Sequence, residues 1–114
     1  MLVDELLRRY AAGERNFRRA TLFAAELSEV NLSGADLRGA NLTGAKLVAA
    51  NLSKVKLGMA NLTGAKLSVA NLSEADLSAA NLGGADLSGA KLEGTFLDGA
   101  KLTGAIMPDG SIHG

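Results

Sequence analysis

From Leu22 to Leu102 every fifth residue is leucine, seventeen times without exception, and Phe17 and Met107 extend the series by one unit at each end. Two residues before each of these Leu stands a small residue: Ala in fourteen units, Val30 and Val55 in two, Thr95 in one. The position between them is mostly polar, as in Asn31, Asp36, Asn41, Lys46 and Asn51. A period of five forbids a long helix, because at 100° per residue successive Leu would step about 140° round the axis and form no stripe. A straight strand fails as well, since an odd period sends alternate Leu to opposite faces. Ala and Leu within a unit lie two apart and do share a face. The pattern therefore predicts a short extended segment with both side chains inward, then a bend, then another segment. Ser or Thr followed by Gly suits the bend, because Gly takes positive φ freely and small hydroxyl residues bond locally. Nine of the units from Ser33 to Thr103 carry Gly there. A chain that bends every five residues and keeps one side inward winds into an all-β solenoid.

The ends depart from the repeat. Val3, Leu6, Leu7 and Tyr10 form a helical stripe, with Asp4 and Glu5 at its start, Arg8 and Arg9 in its second half and Gly13 as a stop. A helix over residues 3–12 is predicted, covering the first coil and depending on that packing for its stability. At the other end Thr95 replaces Ala, Phe96 takes an outward polar position, and Pro108-Asp109-Gly110 signals a turn. The tail, residues 111–114, is expected to fold over the last coil with Ile112 tucked in. The chain thus divides into a capping helix and link (1–15), a repeat region (16–107) and a C-terminal turn and cap (108–114).

The units Ala35-Asp36-Leu37-Arg38-Gly39 and Ala75-Asp76-Leu77-Ser78-Ala79 resemble the A-(D/N)-L-x-x motif of pentapeptide repeat proteins, and the resemblance runs over about residues 16–107. The termini, Leu6–Gly13 with Arg15–Phe17 and Gly104–His113, are similar to those of cyanobacterial members, one that promotes heterocyst differentiation among them. The resemblance implies a right-handed quadrilateral β-helix with four pentapeptides per coil, hence between four and five coils here, and a short N-terminal capping α-helix. Each Leu would then stack on the Leu twenty residues away, with Phe17, Leu22, Leu37, Leu57, Leu77 and Leu97 in the core. At about 4.8 Å per layer the repeats would span about 22 Å. Asn recurs every ten residues from Asn31 to Asn81 and would fall into two columns on opposite sides. Their amides are expected to bond up and down as ladders.

Composition adds mostly exclusions. Leu and Ala supply 40 of 114 residues and there is no Cys, so neither a disulfide framework nor a thiolate metal site is expected. His113 is the single His, and Ser falls at turns without a His partner. No catalytic, cofactor or metal site is read, and the protein is expected not to be an enzyme. No apolar run approaches a membrane span. The formal net charge is zero, which disfavours nucleic acid. Charge is nevertheless uneven along the chain. Residues 1–40 balance six Arg with six acids, residues 41–70 hold four Lys and no acid, and residues 71–114 set two Lys against six acids.

These features point to a small interaction or regulatory module whose partner is a protein, with Lys46, Lys54, Lys56, Lys66, Met59 and Phe96 as the candidate docking surface. The resemblance carries one alternative, a DNA-mimicking modulator of DNA gyrase, which needs a continuous acidic surface. Ice binding is a remoter alternative, resting on a column of Thr43, Thr63 and Thr103 that Gly83 interrupts. Met1 is followed at once by Asp4 and Glu5 with no signal sequence, so a cytoplasmic location is expected.

Overall fold

Each pentapeptide forms one side of a four-sided coil. The computed structural model describes residues 1–114. Parallel bridges join residues twenty apart throughout the repeats, from Asn16↔Asp36 to Asp86↔Ile106. Four columns result. The first side carries Asn16, Asp36, Lys56, Asp76 and Phe96; the second Thr21, Asn41, Asn61, Asn81 and Lys101. The third carries Glu26, Lys46, Lys66, Asp86 and Ile106, and the fourth Asn31, Asn51, Asn71 and Lys91.

The hydrogen-bond accounting explains the residue types. On the first side Phe17 N–H donates to Asp36 O at 2.8 Å, Arg19 N–H to Arg38 O at 2.9 Å, and Asp36 N–H to Arg15 O at 2.8 Å. Ala20 N–H closes the corner onto Phe17 O at 3.1 Å. Four of the five N–H groups in a unit are thus paired through the backbone. The fifth, on the residue after Leu, has no backbone acceptor, and a buried or half-buried donor needs one. Asn or Asp two residues before provides it in ten units, and in the units that carry Thr21, Glu26, Phe96 or a Lys there this N–H has no partner. Asn31 Oδ1 accepts from Ser33 N–H at 3.0 Å, Asn61 Oδ1 from Thr63 N–H at 3.0 Å, and Asp86 Oδ1 from Ser88 N–H at 2.9 Å. The expected Asn ladders therefore do not form. The columns exist, but each amide oxygen is used by its own turn.

Leu and Ala fill the interior as expected. Phe17, Leu22, Leu37, Leu57 and Leu77 are all buried in one continuous core that contains no polar group. The helix α1 spans Val3–Ala11, within a residue of the predicted bounds. Its Leu6 is fully buried and belongs to that core, and Tyr10 Oη donates to Ser33 O at 2.7 Å. The helix ends at Gly13, where Glu14 N–H reaches Arg9 O and Gly13 N–H reaches Tyr10 O, a Schellman closure.

Two expectations fail at the C-terminal end. Leu97 is only partly buried, together with Leu92 and Leu102, because no further coil covers them. The tail does return onto the last coil, with His113 N–H on Ala105 O and Gly104 N–H on His113 O, both at 2.8 Å. Ile112, however, is 72% exposed. It pairs antiparallel with Ile106, and paired residues point to the same side of a ladder. Ile106 occupies an outward column, so Ile112 faces outward with it. The longest dimension of the molecule is 39 Å. The excess over the span expected for the repeats comes from α1 at one end and the tail at the other.

Candidate interaction surface

The interior holds no polar side chain, so all chemistry lies on the outward positions of the four sides. The six candidate docking residues do not lie together. Lys46 and Lys66 stack on the third side, Lys56 stands on the first between Asp36 and Asp76, and Lys54 is at a turn of the fourth. Lys46 is tied to Glu26 at 2.9 Å. Met59 and Phe96 both belong to the first side and are 75% and 59% exposed. The basic middle of the sequence is therefore wound round the rod: Lys46 and Lys66 share the third side, and Lys56, Met59 and Phe96 the first.

That side carries the molecule's one groove, an open depression of about 430 Å³. Arg18, Arg19 and Arg38 line one end, Met59, Ser78 and Ala79 the other, and Gly39 and Gly58 lie between. Two of the three guanidiniums hold one carboxylate. Arg18 Nε donates to Asp36 Oδ2 at 2.9 Å, while Arg38 Nε and Nη2 hold Oδ1 and Oδ2 at 2.9 and 2.7 Å. The bonds from Arg38 first, and from Arg18 next, hold the Asp36 carboxyl far below the usual carboxylate range against the opposing effect of its burial. Arg19 has no acidic partner.

The groove's centre breaks the repeat. Most units place Ser or Thr and then a residue at positive φ that is often Gly; here the order is Gly58, whose φ is not positive, then Met59 at φ 60°. The backbone does not require Gly at 58. A Cβ there would stand in ordinary contact with Ser78 O and Arg38 Cγ, at 3.6 and 3.8 Å. The small residue opens the notch and the large one forms its rim. A second break accompanies it. Arg18, Arg38 and Ser78 donate their backbone N–H to Asn16, Asp36 and Asp76 Oδ1, at 3.2, 3.2 and 2.9 Å. At Gly58 the residue two before is Lys56, which has no acceptor, and the Gly58 N–H has no partner.

The charge distribution along the chain does not reveal these residues. The signal that does is the twenty-residue register, which aligns Arg18, Arg38, Gly58 and Ser78 in one column and Arg19, Gly39, Met59 and Ala79 in the next. Elsewhere the structure brings together no group of three side chains suited to a metal ion, and no helix is long and apolar enough to cross a membrane.

A chain of single bridges and two-residue turns, stacked in a twenty-residue parallel register round an apolar core, defines a quadrilateral β-solenoid. The sequence profile described as Pentapeptide repeats matches it in eight copies, over residues 16–53, 31–68, 45–82 and 70–107. The chain belongs to the pentapeptide repeat family, whose fold is the right-handed quadrilateral β-helix. Among solved structures it is similar to alr5209, a pentapeptide repeat protein from Nostoc PCC 7120, at 43% identity and TM-score 0.53 over 91% of this chain and 78% of that one. HetL, a pentapeptide repeat protein from Nostoc sp. strain PCC 7120 involved in heterocyst differentiation regulation, matches at 27% identity and TM-score 0.40, over 99% of this chain and 100% of that one. Rfr23 from the cyanobacterium Cyanothece 51142 matches at 43% identity and TM-score 0.45, over 75% of this chain and 58% of that one. No match is found among curated proteins.

Proposed function

We propose that this chain is a non-enzymatic protein-interaction or regulatory module. The observation that carries the reading is the division of labour in the fold. Every buried side chain is apolar and is used up in stacking the coils, so the outward lattice is all that remains to act. A rigid lattice of side chains at fixed spacing suits docking, and it loses little conformational entropy when it binds. In this reading the repeats at residues 16–107 make between four and five coils, α1 with the link to residue 15 closes one end, and residues 108–114 cap part of the other. The docking surface draws on Lys46, Lys54, Lys56, Lys66, Met59 and Phe96, with the three on the first side (Lys56, Met59, Phe96) acting together. Cell fractionation tests the cytoplasmic placement that belongs to the same proposal.

The arrangement of charge does not favour the gyrase reading. The acids of the repeats are Asp36, Asp76 and Asp98 on the first side, Glu26, Glu29, Asp86 and Asp109 on the third and Glu74 and Glu93 on the fourth, and each set is interrupted by Lys or Arg. The second side carries only Lys101. Ice binding is no better supported, because the Thr43 and Thr63 hydroxyls are bonded to Asn41 and Asn61 Oδ1 at 2.8 and 2.6 Å. The test is retention of partners from a cyanobacterial lysate on immobilised wild-type chain, against Lys46→Glu/Lys66→Glu and Lys56→Glu/Met59→Ser baits. A protein retained by wild type and lost from one bait supports the module and names its side. Identical retention on all three, or none, rejects it.

A further inference from the structure

We propose that the groove on the first side is a carboxylate-binding site that docks an acidic segment of a partner protein, an Asp or Glu side chain entering the notch over Gly58. The proposal rests on the interaction-module reading and specifies the chemistry of its partner.

The molecule itself shows how a carboxylate sits on this side. One coil below the notch, Asp36 accepts the Arg38 backbone N–H and the Arg18 and Arg38 guanidiniums together. One coil above, Asp76 accepts the Ser78 N–H. At the coil between them the same outward N–H is present on Gly58, but Lys56 replaces the acidic residue. The place where an internal carboxylate oxygen would lie is therefore open, with a free N–H donor and an additional cation beside it. Arg19, which no acid neutralises, lines the same groove. Arg18, Arg19 and Arg38 line the groove and Lys56 stands in the adjoining column, four cations against the two carboxylates of Asp36 and Asp76.

Two departures from the repeat act in the same direction. Lys56 removes the internal acceptor, and Gly58 removes the side chain that would fill the space. Neither is required by the backbone. Only at Gly58 do the two coincide: Val48 and Ser68, two residues after Lys46 and Lys66, also lack an acceptor for their N–H but keep a side chain, and Gly83 N–H donates to Asn81 Oδ1 at 3.0 Å. Charge complementarity selects an anionic occupant, and the single N–H flanked by guanidiniums matches the carboxylate mode already used at Asp36. The exposed Met59 rim adds an apolar contact that a peptide side chain next to the acid would meet.

The experiment measures anisotropy of a fluorescein-labelled peptide, Gly-Asp-Leu-Asp-Gly, against the full chain, with the Gly-Asn-Leu-Asn-Gly peptide, inorganic phosphate and a single-stranded oligonucleotide as competitors. The informative variants restore the repeat. Lys56→Asn gives the Gly58 N–H an internal acceptor and Gly58→Ser fills the notch, so both are expected to melt no lower than wild type. Each should weaken peptide binding about tenfold or more, as should Arg19→Ala, while Lys101→Asn on the second side should leave it unchanged. The proposal is overturned if wild type does not bind the acidic peptide, if the Asn peptide binds equally, or if Lys56→Asn binds as wild type does. Displacement by phosphate or oligonucleotide as effective as by unlabelled peptide also overturns it. So does a dimer in analytical ultracentrifugation that Lys56→Asn dissociates, which would give the groove to a second copy. If Lys56→Asn and Gly58→Ser baits still retain the wild-type partner from a lysate, the groove falls while the interaction module stands.

Discussion

The two ends of the rod solve the same problem unequally. At the N-terminal end α1 lays Leu6 on the first coil, and Phe17, Leu22 and Leu27 are as buried as any Leu in the middle. At the C-terminal end the tail bonds only residues 104–107, and Leu92, Leu97 and Leu102 stay partly exposed. The backbone is less asymmetric. Thr21, Glu26 and Asn31 at one end, and Leu92, Leu97 and Leu102 at the other, have N–H groups without a backbone partner. Closing a solenoid is thus a matter of apolar side chains supplied from outside the repeat, more than of finishing the hydrogen-bond ladder. Turn chemistry follows the same division. The first coil holds Arg19, Ala24 and Glu29 at positive φ, whereas every such turn from Gly84 to Gly104 uses Gly. Strained turns are carried where the core is closed.

The largest effect expected from this contrast is in the core. Leu57→Ala should lose about 2–5 kcal/mol in urea unfolding, and Leu97→Ala clearly less, since it leaves no enclosed cavity. Equal losses would break the comparison. Hydrogen exchange sharpens it next: the amides of Leu92, Leu97 and Leu102 should exchange far faster than those of Leu52, Leu57 and Leu62. A smaller effect is expected at the turns. Gly99→Ala should cost about 1 kcal/mol, because a Cβ there meets only ordinary contacts and the positive φ is the whole penalty. Ala24→Gly should be neutral or slightly stabilising, by less than about 1 kcal/mol, and a clear loss at Ala24 would mean that the closed end is not strained there.

The smallest effect concerns Asp36 at the edge of the groove. Its folded-state pKa lies below the unfolded one, so its contribution is present above the unfolded carboxylate range and is lost as pH falls toward the folded value. The melting-temperature difference between wild type and Asp36→Asn should therefore be full at about pH 6 and narrow below about pH 4. A difference independent of pH would show that the Arg18 and Arg38 bonds do not act through the charge.

Much of this was legible along the chain, and particular residues show why. Leu22 through Leu87 could be assigned inward because a five-residue period admits only one chain path, and α1 could be placed because Val3, Leu6, Leu7 and Tyr10 have no other common face. The Asn columns were legible but their bonding was not, because the choice between a neighbouring amide and the turn's own N–H depends on distances set by the coil. Ile112 was misplaced because its side follows from pairing with Ile106. The docking residues were gathered by position in the sequence, and a coil of twenty residues distributes any such segment over all four sides.

The inward lattice, the bends and the helical start were determined by the sequence alone, since period, residue size and turn chemistry act locally and repeat without interruption. Tertiary structure alone decided which outward residues become neighbours. Arg18, Arg19, Arg38, Gly58 and Met59 meet because the parallel register brings residues twenty apart within one layer spacing. A groove made from three successive coils has no signature within any one of them.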